Sequence, residues 1–303
     1  MYNKNKIKLA IAMLIFGSIG LFVKNIDLAS AIIVQWRTYI GFLFLTILFI
    51  VGKQKLNING IRKNIGILIL TGIVLGTSWV ILFESYLYTS VSMATLLYYC
   101  APIIVFFLSA CLFKERITRS GVIGISVAIS GMIIINVVGI NNESMIGIIC
   151  GLLSAVFYAL LMILNKYIKD LSGVESTFIQ LGVAAIVMSI YVTLSTGSLI
   201  HLPAKEDIML IIFVGIVHTG IACYLFFSSI QVLPTQTTSI LSYIDPCSAL
   251  IFSAVILNEK LNTIQIIGGI LILGGIAYKQ ISDNKQESEI TKRWLEEIRN
   301  GKE

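Results

Sequence analysis

The sequence predicts an all-α integral membrane fold of ten transmembrane helices arranged as two inverted five-helix repeats. Three observations predict it. Of 303 residues, 57% are apolar and only 13% charged, against about 25% charged in an average soluble domain, and mean hydropathy is +0.92. Apolar runs long enough to cross about 30 Å of hydrocarbon recur along the chain as far as Tyr278. The third observation is internal: an offset of 144 residues lays Tyr99, Pro102, Ser109, Ala110, Glu115, Gly124 and Gly131 on Tyr243, Pro246, Ser253, Ala254, Glu259, Gly268 and Gly275 without a gap. The same offset adds Gly76 on Gly220, Phe83 on Phe227, Ser85 on Ser229 and Leu97 on Leu241. An apolar background matches Leu or Ala by chance, but Pro, Tyr, Glu and Gly in one register mark a duplicated unit.

The apolar runs fall near 8–23, 30–51, 66–86, 92–113, 120–138, 145–165, 175–195, 207–230, 235–257 and 263–279. Between them lie short links rich in turn formers and charge, such as KNIDLAS, KERITR, GINNES and NKYIKDLSG, as expected at helix ends. Two repeats are therefore expected over residues 6–138 and 145–279, followed by a polar cytoplasmic tail over 280–303. In the tail Ile290, Trp294 and Ile298 share a helical face, so a short helix on the inner leaflet and a solvated, disordered tail are both open.

Basic residues orient the bundle, because loops rich in Lys and Arg stay cytoplasmic. With the amino terminus inside, eighteen of the 22 Lys and Arg lie inside, only Lys24, Lys205 and Lys260 lie outside, and Arg37 sits within a helix. Both termini are then cytoplasmic and the chain is a multi-pass protein of the cell membrane. The net charge of +6 is thereby topological, so no nucleic-acid partner is expected. Five crossings per half make the second copy enter from the opposite face, which inverts the repeat. Inverted repeats around a midplane site are a device of carriers.

Two five-helix halves, each with a Pro early in its fourth helix, a Glu at that helix's end (KERIT and NEKLN) and a Gly-spaced fifth helix, resemble the EamA branch of the drug/metabolite transporter superfamily. The resemblance runs from about Lys6 to Tyr278. It implies a ten-helix carrier of small metabolites, often an exporter of amino acids or related solutes.

In lipid, chemistry resides in the few polar groups that helices carry inside the membrane. Arg37 lies in the second run and Glu84 near the outer end of the third. Two readings stand: a structural ion pair, or Arg37 holding a substrate carboxylate and Glu84 an ammonium. His218 and Asp245 fall near the middle of the eighth and ninth runs. Asp245 directly precedes Pro246, whose missing N–H frees a carbonyl to line a cavity. It is read either as a coupling site for a proton or cation, or as a neutral group steadying the helix break. His218 is read as a ligand group or as a histidine bonded to a neighbouring helix.

Trp79, Tyr98, Tyr99, Tyr224 and Tyr243 complete the expected substrate-binding set, as amphipathic walls able to stack on an organic cation. Pro102 and Pro246 are the expected helix breaks. Tyr2, Tyr86, Tyr167 and Tyr278 are read as interface anchors, and Glu115 and Glu259 as structural carboxylates that pair or cap. Gly72 with Gly76 and Gly147 with Gly151 read as packing faces. The five cysteines lie in apolar runs without CxxC spacing and read as small packing residues, not metal ligands or disulfides.

No Ser-His-Asp, HExxH or Walker pattern is present, so neither catalysis nor a cofactor is expected. The expected partners are a small-molecule solute and the lipid bilayer, with the protein a monomer or homodimer. The alternatives are a carrier of organic cations or drugs, and a membrane enzyme acting on lipid-linked substrates.

Overall fold

A computed structural model describes residues 2–52, 56–89, 91–115, 117–137, 144–256, 258 and 263–300. Glu259 and the 138–143 link lie outside the described residues. The protein is all-helical, with no strand among the described residues. In chain order the helices are α1 (Tyr2–Val23), α2 (Ser30–Val51), α3 (Ile58–Tyr88), α4 (Val91–Tyr98), α5 (Ala101–Phe113), α6 (Arg119–Val137), α7 (Met145–Asn165), α8 (Gly173–Thr196) and α9 (Ile208–Phe213). A π-helical segment, Val214–Ile221, joins α9 to α10 (Ala222–Ile230), and α11 (Thr235–Leu241), α12 (Ile244–Ile256) and α13 (Thr263–Asn300) complete the order.

Among the described residues, nine helical stretches are long and apolar enough to cross a membrane, and the apolar part of α6, Arg119–Ile134, is shorter than the rest. Side chains such as Ile50, Val51, Leu87, Leu194 and Val255 stay exposed, as lipid-facing surfaces require. Inside, Leu9, Met13, Val105, Phe106, Met162, Phe227 and Tyr243 form one continuous core.

Two expected helices are each in two pieces. The fourth run breaks between α4 and α5 at Tyr99–Cys100, and the ninth between α11 and α12 at Ser242–Tyr243. Pro102 and Pro246 enter the first turn of the second piece in each case. Proline has no N–H and its ring crowds the carbonyl four residues back, here Tyr98 and Ser242, so the ladder parts just before each proline. The eighth run, read as one regular helix, contains the π segment. The tail carries no helix boundary near residue 280, because α13 continues without interruption to Asn300.

The first helix of each half packs on the other half. α1 lies against α10, α11 and α12, whereas α7 lies against α3, α4 and α5. α6 and α13 pack against each other through bare backbone: Gly124 faces the Gly275 carbonyl and Gly131 the Gly268 carbonyl. Rising numbers on one helix meet falling numbers on the other, so the pair is antiparallel.

Links at one end of the bundle are tied together. Ser172 and Glu175 form a capping box on α8, and Glu175 also accepts from Asn57 N at 2.6 Å. Asn64 donates to Lys169 O at 2.8 Å, and Lys166 Nζ donates to Leu233 O. Glu115 caps α11, accepting from Thr235 N at 2.8 Å and Gln236 N at 3.2 Å. At the opposite end, Trp36 Nε1 donates to His201 O at 2.8 Å and Gln35 Nε2 to Leu199 O at 2.9 Å.

Candidate functional site

A cavity of about 590 Å3 lies where the two halves interlock. Its wall is built by the ends of α1 and α3, the start of α2, the two broken helices, α7 and α10. Most of the lining is apolar, including Phe16, Ile33, Leu75 and Phe226, and into it project Arg37, Trp79, Tyr86, Thr95, Tyr98, Tyr99, Tyr158 and Asp245.

Arg37 reaches the cavity because α2 presents residues 30, 33, 34 and 37 on one face, the spacing of a helical stripe. Its Nε donates to Thr219 Oγ1 in the π segment at 3.0 Å, and its guanidinium carbon stands 5.5 Å from the centre of the Trp79 ring. No carboxylate pairs with it among the described residues. On α3, residues 75, 79, 82, 83 and 86 line the cavity. Glu84 lies five residues beyond Trp79, about 140° round the helix, and accepts from Tyr191 Oη at 2.6 Å. The structural pairing of Arg37 with Glu84 is therefore absent, and Glu84 is not among the cavity-lining residues.

Asp245 is carried by α12 directly after the break in the ninth run and lines the cavity with the Tyr99 hydroxyl beside it. Tyr98 stacks on Tyr158, with ring centres 4.8 Å apart and planes at 5°, and meets Tyr99 edge-on at 6.1 Å. Gly17 lets α1 approach α12 here: an added Cβ would meet Ser248 Oγ and, at 2.6 Å, the carbonyl of Asp245. Four pairs of lining residues are 144 apart in sequence: Gly17 and Leu161, Trp79 and Cys223, Leu82 and Phe226, Phe83 and Phe227. The charged pair has no such counterpart, since Leu181 stands 144 residues after Arg37 and Ala101 stands 144 residues before Asp245.

Of the sequence-derived set, Arg37, Trp79, Tyr98, Tyr99 and Asp245 thus share one cavity. Tyr243, fully buried, stands behind the lining and donates to Tyr99 O at 3.2 Å, joining the two broken helices. His218 is buried between Phe22 and Phe213, with Nε2 3.0 Å from Ser18 Oγ on α1. Tyr224 faces Lys8, whose Nζ lies 5.8 Å from the ring centre.

Tyr86, read from the sequence as an interface anchor, belongs to the lining instead. The signal was present, because it is seven residues, two turns, beyond Trp79. Tyr158, Thr95 and Cys223 were also missed. α1 and α7 were not expected at the site, and only the exchange of these helices between halves brings them there.

The EamA-like transporter family model matches residues 6–137 and 145–278. The chain is 32% identical over 282 residues to the uncharacterized transporter YxxF of Bacillus subtilis (strain 168), covering 89% of this chain and 88% of that protein. It is 26% identical over 273 residues to an uncharacterized transporter of Archaeoglobus fulgidus, covering 88% and 93%. A solved structure described only as the crystal structure of a protein has the same fold, with a TM-score of 0.81 at 17% identity over 93% of this chain and 98% of the other. Membrane-length helices arranged around a cavity, with relatives of this kind, define a multi-pass membrane transporter. The chain belongs to the EamA-like transporter family.

Proposed function

We propose that the protein carries small metabolites, in particular exporting amino acids or related zwitterions, across the cytoplasmic membrane. It works by alternating access between two inverted five-helix repeats, in a ten-helix bundle with both termini inside. The observation that carries this reading is that Arg37, with no carboxylate partner among the described residues, shares one cavity with Asp245. A carboxylate would sit on the guanidinium fork and an ammonium on Asp245, which takes the role that sequence alone offers to Glu84.

The repeat itself draws support from the Gly124–Gly275 and Gly131–Gly268 contacts. Shifting either contact by 144 residues gives the other, as exchange of two like halves requires. The cavity lined by equivalent residues of both halves fits the same exchange.

A second reading, a carrier of organic cations, is favoured by the tyrosines around Asp245. Flux in proteoliposomes separates the two. For the amino-acid reading, purified protein should exchange radiolabelled amino acids, with Arg37→Ala abolishing that flux and leaving organic-cation flux unsupported in both proteins. Flux of organic cations that survives Arg37→Ala would transfer the assignment to the second reading. Conversion of a lipid-linked substrate to product without any solute flux would remove both.

A further inference from the structure

The π segment has a structural partner in α2. An i→i+5 bond spans one residue more than the i→i+4 bond of an α-helix, and one inserted residue rotates what lies downstream by about 100° relative to a regular helix. Here the altered turn carries Thr219, fully buried, against the face of α2 that bears Arg37. The contact is close along its length. Gly41, one turn beyond Arg37, would place a Cβ 3.0 Å from Thr219 Cγ2 and 3.2 Å from Gly220 N, and Gly220 would meet Phe44 at 2.7 Å. Thr219 is thus held in place by backbone proximity.

Of the five N–H donors on a guanidinium, Thr219 Oγ1 takes the one on Nε. Trp79 faces the group. The terminal nitrogens have no partner among the described residues and are not sealed off from the cavity. With Nε tied to a fixed hydroxyl, the plane of the fork is set, and its two outer nitrogens present the geometry that meets a carboxylate in two parallel bonds.

We infer that Thr219 is a positioning residue. It orients Arg37 so that the cavity selects solutes with a free carboxylate over their amides. This inference rests on the carboxylate reading of the cavity and adds that the π segment supplies its selectivity.

The test is binding to purified full-length protein, read as ligand-induced thermal stabilisation over concentration series of the twenty amino acids and their amides. Wild type should bind at least one acid more tightly than its amide. Thr219→Val, nearly the same shape without the hydroxyl, should raise the Kd for that acid about fivefold to tenfold, the size of one lost hydrogen bond. It should leave the Kd for the amide unchanged, and Thr219→Ser should restore the preference. Thr219→Ala carries the same test if the valine variant does not fold. A purely structural Thr219 would weaken acid and amide alike, or neither, and either outcome overturns the inference while the carboxylate reading stands. Wild type that binds no acid better than its amide overturns both.

Discussion

Gly17 decides how near α1 can come to the acidic corner of the cavity. An alanine there has to displace Ser248 Oγ and the Asp245 carbonyl, an overpacking that costs about 1–3 kcal/mol. Gly20 lies one turn further on the same helix, and nothing stands within 4 Å of its would-be Cβ. Gly17→Ala should therefore lower the melting temperature in detergent and weaken solute binding, whereas Gly20→Ala should leave stability within about 1 kcal/mol of wild type. Equal effects of the two would mean that the α1–α12 approach is not tight. At this scale the sequence was readable where chemistry alone singles out a residue: Arg37 and Asp245 are rare charges in apolar runs. It was less readable where orientation decides, for Glu84 is as conspicuous as Arg37 yet faces Tyr191. A helical wheel through Trp79 would have separated Glu84 from Tyr86.

Among the elements, the broken helices were legible because proline imposes its break whatever surrounds it. The π segment was not, since it is a shift of hydrogen-bond partners that demands no particular residue. The clasp on the α10–α11 turn was legible only in part: Glu115 was expected to pair or cap, but not to reach a helix 120 residues away. That clasp has a measurable electrostatic consequence. Lys166, just beyond the end of α7, is pulled down to about 8 by burial, with Glu115 acting in the opposite direction. A lysine whose folded value lies below its unfolded one carries a folding penalty that is complete below about pH 8. The penalty fades as pH rises toward the ordinary lysine value. The melting temperature of the wild type should accordingly rise relative to that of Lys166→Met between about pH 8 and 10. Parallel curves for the two proteins would show that Lys166 keeps an ordinary affinity for its proton.

At the level of the whole molecule, the proposed orientation makes a labelling prediction. On a cysteine-free background, an impermeant thiol reagent added outside intact cells should reach a cysteine at Ser198 and miss one at Asn57. Those positions belong to opposite ends of the bundle, one near the Trp36–His201 bond and the other at the Glu175 cap. Labelling at Asn57 from outside would reverse the orientation. The 144-residue register shared by Pro, Tyr, Glu and Gly is visible in sequence. The crossing of α1 and α7 into opposite halves is not, because apolar helix faces match many partners. That crossing also sets a timetable for biogenesis. When α7 leaves the ribosome, the helices it packs on are already made, but α1 precedes its partners α10–α12 by roughly 200 residues, about 10–40 s at ordinary rates of translation. For that interval the nascent chain holds its first helix in the bilayer without the partners that pack on Gly17 and Ser18, and the cavity gains its last wall only once α12 is made.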